Sequence, residues 1–190
     1  MRLAAHLCGS HVNDILNGNN NEFISTLVNT YGFGRLQINA TAVNGVDTSN
    51  LSNCIALFMS VIVRYPKVEF IIQKNEETRC LWEGLLSSGD LPNNVSMLVD
   101  ESKGTGVLSK SWPKPPKDYN IGYAGGIGPD NISNVLDDII HVASGYNVWI
   151  DMESSLRSIK NGIDIFDLNK CYQCIKIVCD KKLHCHPSFL

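Results

Sequence analysis

The sequence predicts an α/β fold built on a parallel sheet, and three observations point there. Six short apolar runs recur at a period near 28 residues. Stretches with helical spacing separate them. Several of the runs are near-continuous rather than alternating, as strands covered on both faces should be.

The predicted strands are LAAHL (3–7), RLQINATA (35–42), KVEFIIQ (67–73), NVSMLVD (94–100), YNIGYAG (119–125) and YNVWIDM (146–152). Residues 13–31 read as one interrupted helix or two short ones. Residues 49–65 begin at a candidate cap, Ser49 or Asn50, and stop at Pro66. Residues 75–89 open with acids and close on Gly89, matching the polarity of a helix. In 130–142 the apolar positions Ile132, Val135, Leu136, Ile139 and Ile140 share a helical face, and Pro129 suits the first turn. A last helix is predicted over 167–179.

Strand and helix in regular alternation fit two architectures, a doubly wound open sheet and a (β/α) barrel. A full eight-stranded barrel usually takes about 250 residues. Six units in 190 residues are too few for closure unless other segments complete it.

Composition narrows the class of protein. The length suits one domain, and a chain this size buries roughly 70% of its unfolded surface, so it needs no metal or disulfide to hold a core. A formal charge of -3 without a basic patch argues against nucleic acid. No apolar run reaches the roughly 18 residues of a membrane helix, and the polar centre of the N-terminal segment does not suit a signal peptide. The seven cysteines are an odd, uneven set and read as free thiols. The expected location is therefore the cytoplasm. The Asn-x-Ser/Thr triplets at Asn39, Asn50, Asn94 and Asn131 carry no weight there.

Three loops carry the chemistry, and each comes after a strand's C-terminal end, where both architectures bind ligands. After the fourth strand comes Asp100, then Lys103-Gly104-Thr105-Gly106, whose glycines allow close backbone approach. After the fifth comes Gly125-Gly126-Ile127-Gly128-Pro129, running straight into a helix. Uncovered amides before a helix are how a backbone cradles phosphate. After the sixth comes Asp151-Met152-Glu153-Ser154-Ser155, with hydroxyl donors, and Arg157, which either reaches an anion or pairs with Glu153.

Taken together, the order strand-Asp-GTG, strand-AGG-x-x-P-D-N, strand-D-x-x-S-S resembles the C-terminal half of the phosphoribosylanthranilate isomerase family. The resemblance covers residues 94–178, with a weaker echo in Gln37-Ile38-Asn39-Ala40. It implies a TIM-type (β/α) barrel, here an incomplete one with about six recognisable units, as a single domain over 1–180. It implies an Amadori rearrangement of a phosphoribosyl aminoaldose to an aminoketose, in tryptophan biosynthesis, with no metal or organic cofactor. The alternative is a phosphosugar-binding paralogue with no activity or a different one. By the resemblance, Asp100 is the general acid on the ribose ring oxygen. Cys8, in His6-Leu7-Cys8-Gly9, is the candidate general base. The substrate phosphate is held by Gly125, Gly126, Ser154 and Ser155, with Gly104, Gly106 and Arg157 as further candidates. The partner expected is thus a phosphorylated small molecule, not nucleic acid or membrane; an open barrel edge would favour a homo-oligomer.

Some positions depart from the family. Lys103 and Ser155 stand where it has glycine, Asn39 where it has histidine, and its second-strand arginine has no counterpart. In the C-terminal stretch, Cys171, Cys174, Cys179, His184, Cys185 and His186 have zinc-ligand chemistry. Cys171 and Cys174 nevertheless fall on the packed face of the predicted helix, so no metal site is expected. Residues 181–190 read as an unstructured extension.

Overall fold

The computed structural model describes residues 3–19, 21–103 and 105–183. Six strands form one sheet: β1 (Ala4–Leu7), β2 (Arg35–Ile38), β3 (Glu69–Lys74), β4 (Val95–Val99), β5 (Asn120–Tyr123) and β6 (Trp149–Ile150). Every neighbouring pair is parallel, and the order in space is the order in sequence. A doubly wound sheet reverses its strand order part-way, so that architecture is excluded. The sheet curls into a half-barrel, compatible with an incomplete TIM-type barrel, and among the described residues β1 and β6 are its open edges.

The helices are α1 (Gly9–Leu16), α2 (Asn21–Ser25), α3 (Ile55–Arg64), α4 (Arg79–Ser87), α5 (Ile132–Val142) and α6 (Leu168–Asp180). Their apolar stripes pack on alternate strand residues. Leu36, Ile38, Phe70, Ile72 and Met97 form one core with Ile15, Phe58, Ile62, Leu81 and Leu85. Val99, Ile121 and Tyr123 form a second with Ile132, Val135, Leu136, Ile139 and Cys174. Burying such side chains contributes about 1.5–3 kcal/mol each, so these two cores hold the helices to the sheet.

Local chemistry explains several boundaries. The region expected as one helix over 49–65 begins as a 3-10 segment, Thr48–Cys54, capped by Asp47, which accepts from the amide of Ser49. The 13–31 region divides into the end of α1, then α2 and a π-helical turn, Thr26–Thr30. Asn94 donates to the carbonyls of Ile62, Tyr65 and Val68 at 2.9–3.2 Å, tying the end of α3 and the turn before β3 to the start of β4.

One element has no counterpart in the sequence expectations. β7 (Arg157–Lys160) and β8 (Ile163–Phe166) form an antiparallel hairpin outside the main sheet. Its two-residue turn, Asn161-Gly162, has positive φ at both positions (53° and 77°), as a type I′ turn requires. The expected tail also differs at its start. Lys181 pairs with Asp137 at 2.6 Å, and Leu183 packs on the second core. Residues 184–190, with His184, Cys185 and His186, lie outside the described residues.

Candidate active site at the C-terminal edge of the sheet

The parallel register arranges the helix-free, concave face in rows. One row holds His6, Gln37, Ile71, Ser96 and Asn120. The next holds Gln73, Leu98, Gly122 and Trp149, and continues to Asn39 beside β1, whose Leu7 carbonyl takes the Asn39 amide. At the mouth, Asp100, Ala124 and Asp151 each donate their amide to the neighbouring strand, which brings them level with one another. A Cβ at Gly122 would overlap the Trp149 ring, so that glycine is what lets the indole lie across the sheet against Ile71, Leu98 and Ala124.

Asp100 is 6% exposed. Gln73 Nε2 donates to its Oδ2 at 2.8 Å, and the amide and hydroxyl of Ser102 donate to its Oδ1. Charge-assisted bonds of this kind fix a carboxylate's orientation. Gly125, at φ 104°, lies close by: a Cβ there would stand 3.2 Å from Asp100 Oδ1.

The three loops converge. At Gly126 (φ 63°) a Cβ would stand 2.7 Å from Leu108 Cα and 2.8 Å from the Gly106 carbonyl, so the loop after β4 lies directly on the loop after β5. A Cβ on Gly106 would meet Ser154, and one on Gly128 would meet Ser155, so the loop after β6 closes on both. Asn131 braces the turn by accepting from the Gly128 amide at 2.9 Å and donating to the Gly126 carbonyl at 2.8 Å. A cleft of about 270 Å³ opens beside them, lined by Gly126, Gly128, Asn131, Ser155, Lys170 and Gln173, with Pro129 and Asp130 at its lip. Lys170 donates to the Arg157 carbonyl and brings a cation to the cleft that sequence reasoning missed. Nothing in the pattern around Lys170 marks it, since it sits in the first turn of α6. Asn131 was legible in principle as the residue preceding a helical run.

The remaining candidates lie elsewhere. Cys8 is exposed, with its Sγ 3.7 Å from both Asn39 Nδ2 and Asn44 Oδ1. Three strand spacings separate β1 from β4, about 14 Å along the sheet. Arg157 opens the hairpin and donates from Nε to the Asp164 carboxylate at 2.8 Å, so its partner is neither a rim anion nor Glu153. Gly104 lies outside the described residues. Cys171 donates to the Asp167 carbonyl, and burial raises the pKa of the Cys174 thiol, as suits core cysteines.

Beneath the rim, Tyr123 donates to the Pro113 carbonyl at 2.7 Å and packs edge-on to Trp112, 5.6 Å between ring centroids. Burial pushes its hydroxyl up to about 12. This residue ties the long connection between β4 and β5 to the sheet.

No protein-family model and no curated protein matches this chain. No helix among the described residues is long and apolar enough to cross a membrane.

Proposed function

We propose that this chain binds a phosphorylated sugar, with the phosphate at the loops after β5 and β6 and the sugar turned toward Asp100. The observation that carries the reading is the convergence of three loops at one strand-end edge, packed so closely at Gly106, Gly126 and Gly128 that no Cβ fits, beside a cleft of about 270 Å³. Amides of Gly125 and Gly126, hydroxyls of Ser154 and Ser155 and the Lys170 ammonium are the donors a phosphate dianion needs. The six described cysteines are free thiols, which suits the cytoplasm we infer for it. The test is calorimetric titration with ribose 5-phosphate and inorganic phosphate of the wild type, Gly126→Asp and Ser155→Asp. Both variants should lose both ligands. Equal weak binding by all three proteins would remove the assignment.

A second reading is the Amadori isomerase itself. Asp100, buried at the mouth, is the carboxyl group in the position where that chemistry would need its acid. General acid–base chemistry needs a base within hydrogen-bond reach of the same substrate. Cys8, about 14 Å from Asp100 along the sheet, has Asn39 and Asn44 as its hydrogen-bond neighbours and not the Asp100 cluster, which is why binding is the first reading. Loss of phosphoribosylanthranilate fluorescence in a folded, monodisperse sample, abolished by Asp100→Asn, would support the isomerase. A folded sample without activity would end it.

A further inference from the structure

α6 faces three ways. Cys174, Ile177 and Val178 pack in the second core. Lys170 and Gln173 face the cleft beside the glycine rim. Leu168, Tyr172, Ile175 and Cys179 form a third face, spaced four, three and four residues apart along the helix. At about 100° per residue they fall within a sector of about 60°, which makes one straight stripe. Leu168 is 74% exposed, Tyr172 67% and Ile175 61%. Cys179 is exposed as well. A surface helix packed on one core needs one apolar stripe. α6 carries a second, which the described residues leave uncovered.

The hairpin extends this stripe. In its register Arg157 stands opposite Phe166 and Ile159 opposite Asp164, so these four share one face of the ribbon. Asp167 is extended and Leu168 follows it as the first residue of α6. The alternation of extended chain therefore puts Phe166 and Leu168 on the same side. Ile159 is 70% exposed and Phe166 52%. The charges on this ribbon face, Arg157 and Asp164, neutralise each other.

Size, sign and spacing together indicate what covers the patch. Ile159, Phe166, Leu168, Tyr172 and Ile175 expose on the order of 600 Å² of apolar surface, the upper end for the largest patch on a monomeric protein. Buried on each of two copies, it gives about 1,200 Å² in all, where specific protein interfaces begin. A patch whose charges cancel does not repel a copy of itself. Apolar residues at alternating four and three spacing form the seam along which two helices pack side by side. A two-fold contact sets one patch against itself and needs no second surface.

We propose that this face of α6 and the hairpin joins two copies of the chain in a two-fold dimer, with the stripes of Leu168, Tyr172 and Ile175 packed antiparallel. Helix and hairpin make the contact, not the open strand edges β1 and β6. Lys170 and Gln173 stay at the cleft, on another face of the same helix.

The test is sedimentation equilibrium of the full chain over a concentration series, for wild type, Tyr172→Ser and Ile175→Glu. Both side chains are exposed in the single chain, so both variants should keep the wild-type circular dichroism. Wild type should show twice the mass of the chain at micromolar concentration. Each substitution enters the interface twice, so a loss of about tenfold per copy weakens the dimer about a hundredfold. A wild-type mass of one chain, a mass beyond two chains, or a dimer that either folded variant keeps overturns the proposal. Mass alone is read, so the phosphosugar reading stands or falls separately.

Discussion

The two halves of the mouth are made from different materials. Over β5 and β6 the surface is backbone: Gly126 and Gly128, packed against Leu108, Gly106 and Ser155 with no room for a Cβ, and Gly125, where a Cβ would crowd Asp100. Over β2 and β3 it is side chain: Asn39, Gln73 and Asn75, held by bonds to Gln37, Asp100 and Thr78. A backbone rim presents amides of one polarity and suits a dense negative charge. An amide-lined wall presents donors and acceptors together, without net charge. Asp100 stands on the seam between them. The difference teaches that strand ends level with one another in one sheet present different surfaces, set by the residue types placed just beyond the last paired position.

The sharpest way to break the comparison is Gly126→Val. A branched side chain at φ 63°, against Leu108 and Gly106, should destabilise the fold in urea unfolding through left-handed strain and overpacking together. The expected cost is about 3–4 kcal/mol. It should also abolish phosphate binding. A stable protein with intact binding would show that the rim is not backbone-built. Next comes the seam. Asp100→Asn removes the charge to which Gln73 Nε2 and the Ser102 amide donate, and forces Gln73 to turn its amide over so that its oxygen meets the new NH2 group. The expected loss is about 1–3 kcal/mol. Unchanged stability would mean that the two halves are not joined through Asp100.

Alkaline titration sharpens the rim's dependence on its supporting loop. The Tyr123 hydroxyl is raised from the ordinary value of 10.0 to about 12. Between these pH values the unfolded chain has released the proton that the folded chain still holds. Stability from this group is therefore fully present below the unfolded value and falls as pH rises to about 12. Tyr123→Phe should flatten that decline, read from urea midpoints across the range. An identical decline in both proteins would assign it to other groups. The smallest effect lies outside both halves. Gly162→Ala in the hairpin turn, at φ 77°, should leave ribose 5-phosphate affinity unchanged. Its cost in stability should be about 1 kcal/mol. A change in affinity would tie the hairpin to the site.

Much of the fold was legible because burial leaves a pattern. Each of the six apolar runs coincides with a strand, five containing it whole and 67–73 all but Lys74, because the helix-covered face demands apolar residues at alternate positions. The hairpin was missed although Asn161-Gly162 is the strongest kind of short-range hairpin signal. The flanking residues Ile159, Ile163 and Phe166 are exposed, and no run of buried residues drew attention to them. Within the site, Asp100, Gly125, Gly126 and the serines stood out by their place after apolar runs. Gln73 did not, because an amide at a strand end looks the same whether or not it holds a carboxylate.

The sequence by itself determined the six strands of the sheet, the helices between them in outline and the strand-end loops, because those arise from residue periodicity and from where glycine, proline and the acids interrupt it. Tertiary structure alone decided that the strands run in sequential order with two open edges, that Cys8 and Asp100 stand three strands apart, that Arg157 serves Asp164, and that Lys170 joins the cleft. Those facts depend on which surfaces pack together across dozens of residues, and local spacing holds no record of a partner that is distant along the chain.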